Sequence, residues 1–367
     1  MKLAWTQALA WRLRRQLLDP VGTAPVEAVV RRLGAVRGQS DVSAELSIRT
    51  RQTHSRAGEL EQARADGRVI LTFSFRGSTH LMAPEDAGIY LSLRMAGRQW
   101  ELRSWRDYYR LQPTDWPALR EVVRESLADG PLSVGELVAA IARRPRFAHL
   151  GPILAVNPWS VMKALTWHGD MSFGRGRDGH ATFQRLDDNP RWAGVPELDD
   201  AGPRAVEAYL RTYGPATPTN LQYWLGEGLS AGRKRILAWT ASLRDRLTEV
   251  DIDGTPSLLL REDLDELAAT RVDGSVRLLP GYDQWVLGPG TADARIVPRA
   301  QRALVTKGSN VVIVDGIVAG TWALADEGVA IEWFGGSGRP PDDELDAEVA
   351  RLGAILDRPL RPRLQAA

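Results

Sequence analysis

Near the start of the chain, Leu9, Leu13 and Leu17 recur on one face of a segment from about Trp5 to Leu18, which predicts an amphipathic helix. A second begins at Pro25, a favoured first helical position, and sets Val26, Val29, Val30 and Leu33 at helical spacing before Gly34. The third element, from about Ser40, is ambiguous by periodicity, because Val42, Ala44, Leu46 and Ile48 also alternate as a strand would. Its caps decide for helix: Ser40 or Asp41 is a good N-cap, and Glu45 stands four residues before Arg49, the favourable order for an ion pair. Val69 to Phe73 then reads as a strand turning near Arg76-Gly77.

The same order returns twice. Ser133-Val134-Gly135-Glu136 is a capping box opening a helix with Val134, Leu137, Val138 and Ile141 on its apolar face. A longer helix through Trp159, Met162 and Leu165 follows, and then a hairpin turning at Asp178-Gly179. The third copy starts with Thr217 as cap and Pro218 just inside, puts Leu221, Trp224 and Leu225 on a face, and caps its next helix with Ser230. Another hairpin is signalled at Val250 to Gly254. Helix, helix, turn, helix, hairpin is the order of a winged helix, and three copies at unequal spacing predict tandem domains rather than a solenoid.

From about 271 the texture changes to short apolar runs ended by turns: Val276 to Leu279, Asn310 to Val314 before Asp315-Gly316, and Val329 to Phe334. A final helix from about Asp342 to Leu356, started by Pro340-Pro341, turns Leu345, Val349, Leu352 and Leu356 towards them. The expected fold is therefore α+β, with three tandem winged-helix units at 1–118, 119–195 and 196–270, followed by a β-barrel-like domain at 271–367.

With 44% apolar and 25% charged residues in 367, the composition is that of a globular protein with ample core. No apolar run reaches a membrane span, and Met1 to Trp5 lead into Arg-rich amphipathic sequence rather than a secretory signal, so a cytoplasmic protein is expected. The absence of cysteine excludes thiol nucleophiles and Cys-based metal sites, and five scattered histidines lack ligand spacing; neither metal nor cofactor is expected.

The net charge of +1 hides an asymmetry. Residues 1–180 hold 26 Lys+Arg against 18 Asp+Glu, whereas 181–367 hold 21 against 28, so the first half is suited to a polyanion. Only Lys2, Lys163, Lys234 and Lys307 are lysines, which gives little support to Schiff-base lyase chemistry.

Gly174-x-Gly176-x-x-Gly179 matches a dinucleotide fingerprint in letters alone, since a helix precedes it and a strand follows. As a glycine-rich wing it would present Arg175 and Arg177 to a groove or phosphates, or else be a solvated hairpin tip. Gly335-Gly336-Ser337-Gly338 lacks a P-loop ending and reads as a flexible loop. His80 suits a phosphate contact or a structural hydrogen bond, while Arg76 suits phosphate. The thirteen tryptophans are too scattered for a stacking platform, and packing is the default even for Trp100 and Trp105 beside their arginines.

Several short runs, in order, carry a resemblance. Arg37-Gly38-Gln39, Phe75-Arg76-Gly77-Ser78-Thr79-His80-Leu81, Tyr213 to Pro218, Trp224-Leu225-Gly226, Leu278 to Trp285, and Val314 to Trp322 together resemble the AlkZ/YcaQ-like winged-helix DNA glycosylases. The family carries a catalytic glutamine, an aliphatic residue, then glutamine or aspartate; here the second catalytic position is kept as Gln39, and Arg37 replaces the first. The resemblance implies a monofunctional glycosylase that hydrolyses the N-glycosidic bond of bulky alkylated purines of the N7-alkylguanine type, in genotoxin self-resistance or crosslink unhooking. The alternative is a non-catalytic winged-helix regulator.

Gln39 would position water, with Arg37 turned away towards a phosphate, and Asp41 serving as a base or as a helix cap. Arg49, Arg51, Arg76, Thr79, His80, Arg175 and Arg177 form the expected DNA-contacting set. The partner implied is double-stranded DNA carrying alkylated bases, met by a monomer without an obligate protein partner, on an open concave surface rather than a closed base-flipping pocket.

Overall fold

The computed structural model describes residues 2–365 except Leu229, Glu327 and Arg339, and of Lys2 the backbone only; Met1 lies outside the described residues. Helices and strands are mixed, as an α+β fold requires, and contacts gather the chain into two compact units, each built from separate stretches. Among the described residues, no helix is long and apolar enough to cross a membrane.

The first unit comprises Met1–Leu60, Val206–Trp224 and Thr240–Ala367. It opens with helix α1 (Trp5–Arg15), ended by Leu17 at φ 60°, and helix α2 (Val26–Leu33), whose Val26, Val29, Val30 and Leu33 are all buried as their spacing predicts. The ambiguous third element is helix α3 (Asp41–Arg49), with the Ser40 side chain accepting from the Ser43 amide as N-cap. Glu45 and Arg49 do not form the expected pair with each other: Glu45 accepts from the Gly58 amide at 2.6 Å, and Arg49 donates to Ser55 Oγ at 3.1 Å.

The C-terminal strands form an open five-stranded sheet, in the order Val276–Leu279, Asn310–Val314, Ile317–Ala325, Gly328–Trp333 and Pro362–Gln365. Barrel closure, expected for 271–367, is not seen among the described residues. The first and last strands are separate edges, and a helix covers the sheet instead: Leu345, Val349 and Leu352 of Asp342–Ile355 join Val276, Leu278 and Ile331 in one core, which also takes in Leu46 of α3. The edge strand is blunted by a side chain, Glu348 Oε1 accepting from the Leu278 amide at 3.0 Å while Arg351 holds that carboxylate at 2.7 Å.

The second unit comprises Glu61–Ala205 and Leu225–Trp239. Its antiparallel strands run in the order Thr79–Met82, Ile70–Phe73, Met171–Phe173, Thr182–Arg185 and Leu132–Ser133. Phe73, Phe173 and Phe183 stack across them at centroid distances of 5.1 and 4.8 Å. The Ser133 capping box forms as predicted. Trp100 is buried in this core against Trp116 and His168, and Trp105 packs on its margin, so packing is what both do. The helix expected after Ser230 begins at Arg233, and the Ser230 hydroxyl donates to the Leu93 and Leu225 carbonyls rather than capping it.

Candidate active site

Gln39 stands in the short connection between the extended pair Val36–Arg37 and α3. The N-cap hydrogen bond of Ser40 fixes where the helix begins, and so how far the exposed Gln39 projects. Val36, Arg37, Gln39, Ser40, Ser43 and Ser47 line a cavity of about 240 Å³, whose opposite wall is Gly281, Tyr282 and Gly308. Ser40, Ser43 and Ser47 recur at spacings of three and four, so α3 turns a hydroxyl-bearing face to the cavity while Leu46 packs into the sheet core.

The opposite wall is fixed from behind. Asp283 and Arg51 are both 0% exposed and form a bidentate pair, Nη1 to Oδ2 at 2.8 Å and Nη2 to Oδ1 at 2.7 Å. The same carboxylate accepts from the Ser47 hydroxyl and, at 2.8 Å, from the Trp285 amide, where it caps the helix Gln284–Leu287. One buried ion pair thus ties the cavity face of α3 to the residue following Tyr282. Tyr282 itself has φ 63°, its hydroxyl donating to the Lys307 carbonyl at 2.9 Å, and its ring lies on Gly308. Gly308 has φ 89°, and a β-carbon there would stand 2.3 Å from the ring, so only glycine admits this arrangement.

Arg37 does not turn away. Its Nη2 donates to Gln39 Oε1 at 2.9 Å, and its guanidinium stands 5.7 Å from the centre of the Tyr282 ring, where the π face meets its charge. The carboxamide is thereby held in one orientation, with a second acceptor position on Oε1 left for another donor.

With this geometry established, the comparisons with known proteins decide the family. A family model described as "DNA glycosylase AlkZ-like" matches residues 30–355. The chain belongs to the AlkZ-like DNA glycosylase family. Family membership carries the enzyme class with it. The chain is 34% identical, over 98% of its length and 100% of the relative's, to an interstrand DNA cross-link repair glycosylase of Streptomyces sahachiroi. It superposes on the solved structure of the Streptomyces sahachiroi DNA glycosylase AlkZ with a TM-score of 0.93 at 33% identity, covering all of both chains.

Of the residues expected at the site, Arg37 and Gln39 meet in the cavity, whereas Asp41 sits exposed in the first turn of α3 and is not among the lining residues. Arg51 is a correction: assigned to DNA by the sequence, it is buried on Asp283 and has no surface to offer. His80 is a second, being 0% exposed with Nδ1 3.0 Å from Ser74 Oγ and 3.1 Å from the Ser78 carbonyl, which is its structural reading. Thr79 pairs with Phe73 in the sheet of the second unit, and Arg76 stands in the adjoining turn at φ 52°.

Arg175 and Arg177 both precede the predicted hairpin tip at Asp178-Gly179, both exposed, with ion pairs to Glu61 at 3.3 Å and to Glu136 respectively. Nothing in the residues adjacent to Ser43, Ser47, Tyr282 or Gly308 marks them as part of a site. The Leu278 to Trp285 run already held Tyr282 and Asp283, but what they serve depends on contacts more than 200 residues away in the chain.

Proposed function

We propose that this glycosylase is monofunctional and hydrolyses the N-glycosidic bond of bulky alkylated purines in duplex DNA, N7-alkylguanine adducts foremost, with Gln39 positioning the water. The observation that carries the reading is the Gln39 carboxamide, anchored by Arg37 at the cavity between α3 and Tyr282. An N7-alkylguanine is cationic and leaves as a neutral base, so the departing group needs little protonation. The enzyme's task reduces to holding water near C1′ and tolerating the positive charge that grows on the sugar.

Arg37 takes one acceptor position of Oε1, and the other receives a proton of the water, leaving its lone pair aimed at C1′. The Arg37 charge opposes the sugar cation, by about 4 kcal/mol at ~4 Å and an effective dielectric near 20, and the Tyr282 face and the amide dipole reduce that opposition.

A cavity of about 240 Å³ is smaller than the roughly 300–1,000 Å³ of small-molecule pockets, which favours a site that meets the sugar edge over one that swallows an extruded bulky base. The likeness to an interstrand cross-link repair glycosylase supports extending the substrate to interstrand crosslinks; genotoxin self-resistance is the role proposed with it. The helix-then-hairpin order supports reading 1–118, 119–195 and 196–270 as winged-helix units ahead of 271–367, acting as a monomer in the cytoplasm. Arg175 and Arg177 would hold the DNA backbone.

The test uses a duplex with a defined N7-alkylguanine, heated in alkali to break the strand at abasic sites. Gln39→Ala is expected to lose release while keeping its affinity for the duplex. Undiminished release by that variant removes Gln39 from the mechanism, and binding by the native protein without release of any adduct favours the regulator reading.

A further inference from the structure

Among the described residues of the second unit, Arg94 and Lys163 bring two cations together without a carboxylate partner. Arg94 is 7% exposed, its Nη1 donates to the Gly228 carbonyl, and its guanidinium lies 4.7 Å from the centre of the Trp167 ring. Among the described residues its Nη2 donates to nothing, and Lys163 Nζ, 5.2 Å from the Phe73 ring centre, has neither a hydrogen bond nor an ion pair.

Both groups face one spot. A β-carbon on Gly77 would stand 3.6 Å from Arg94 Nη2 and 3.9 Å from Lys163 Nζ, and with φ 72° the position is a glycine that leaves this niche open. Gly228, whose carbonyl accepts from Arg94 Nη1, has no β-carbon either; one there would lie 3.6 Å from Arg94 Nη1 and 3.7 Å from the Arg76 Cα. Arg76, at φ 52°, is a non-glycine residue in the left-handed region beside the niche, and such conformations gather at ligand sites.

Two like charges placed side by side and half out of water oppose each other. Burial pushes the Arg94 guanidinium down to about 10, and burial together with Arg94 lowers Lys163. The Trp167 and Phe73 rings offset part of that opposition, and among the described residues no acid offsets the rest, so an anion placed between the two cations would be favoured.

We propose that Arg94 Nη2 and Lys163 Nζ, with Arg76 alongside, form a niche for one phosphodiester oxygen of the DNA backbone. The proposal rests on duplex DNA being the partner, and it adds a grip that holds the duplex irrespective of sequence or lesion. A backbone phosphate presents an oxygen to two converging donors, and Gly77 lets it approach them without meeting a side chain at that position.

Lys163→Met keeps the aliphatic stem over Phe73 and removes the charge. Binding to an undamaged duplex, followed by fluorescence anisotropy over a series of salt concentrations, reads the effect without any base release. The variant is expected to bind several-fold more weakly at low salt, with the slope of log affinity against log salt reduced by about 0.9, the value of one phosphate contact. An unchanged slope and affinity overturns the niche, and a lowered melting temperature with an unchanged slope marks Lys163 as a packing residue, which overturns it too.

Inorganic phosphate at constant ionic strength separates a free-anion site. If it raises the melting temperature of the native protein but not of Lys163→Met while duplex binding is equal, the backbone assignment fails. Failure of the native protein to bind duplex at all would instead sink the reading of DNA as partner.

Discussion

In the proposed mechanism, Arg37 is the residue on which the rate turns. Its guanidinium donates to Gln39, and in that mechanism it also sets a positive charge where the sugar cation would develop. Arg37→Gln restores the amide of the family pattern and removes the opposing charge. Single-turnover release of an N7-alkylguanine is expected to rise by about tenfold or more, since each ~1.4 kcal/mol taken off the barrier is tenfold in rate. A slower variant would show that anchoring of the carboxamide outweighs charge. At this scale the sequence revealed residue types but not their surroundings. Gln39 and Arg37 were legible as a pair, while the orientation of Arg37 was not, because the ring of Tyr282 that meets it comes from a stretch some 245 positions later. Arg51 reads as a surface-seeking residue and His80 as either a phosphate contact or a structural hydrogen bond, and both are buried because Asp283 and the Ser74–Ser78 turn satisfy them internally.

Elements show the same division between local and distant causes. The capping box at Ser133 and the turns at Asp178-Gly179 and Asp253-Gly254 are written in adjacent residues, and each forms as read. Strand Ile317–Ala325 escaped notice because its run holds Gly320, whose β-carbon would meet the Glu332 carbonyl at 2.6 Å, so the glycine serves a close approach invisible in the sequence. Closure of the last domain was read from strand texture, but a sheet closes only if its edges pair, and Glu348 capping the Leu278 amide blunts one of them. The union of α3 with the strand-to-helix turn at Asp283 gives the prediction proper to this scale. Asp283→Asn breaks a fully buried ion pair and should lower stability by about 3–5 kcal/mol in urea denaturation. Replacing both partners, Arg51→Met with Asp283→Leu, should recover much of that loss, because no unpaired charge remains. Equal stability of Asp283→Asn and the native protein would show that the pair does not hold the two walls together.

For the molecule as a whole, acid sensitivity follows from one imidazole. Burial, with a smaller contribution from Arg120, pushes His168 down to about 3, where it packs 4.5 Å from the centre of Trp100. The unfolded chain takes up that proton near pH 6.5 and the folded one does not, so the stability His168 confers is complete above that pH and is lost as pH falls towards 3. Melting temperatures measured from pH 7 to 5 are expected to drop, and His168→Gln should flatten the decline; an identical decline in the variant would place its origin elsewhere. The charge asymmetry between the halves was readable by counting, and the order of helices and hairpins by local signals. The interleaving of residues 1–60 with the last third of the chain was not, since nothing near Gln39 announces its distant wall. That interleaving has a consequence for how the enzyme comes into being. During synthesis the Gln39 amide emerges early, but Tyr282 and Gly308 follow only after most of the chain has left the ribosome. A nascent or prematurely ended product therefore carries Arg37 and Gln39 with half the chamber missing, and on the proposed mechanism is unable to release a base from the genome that encodes it.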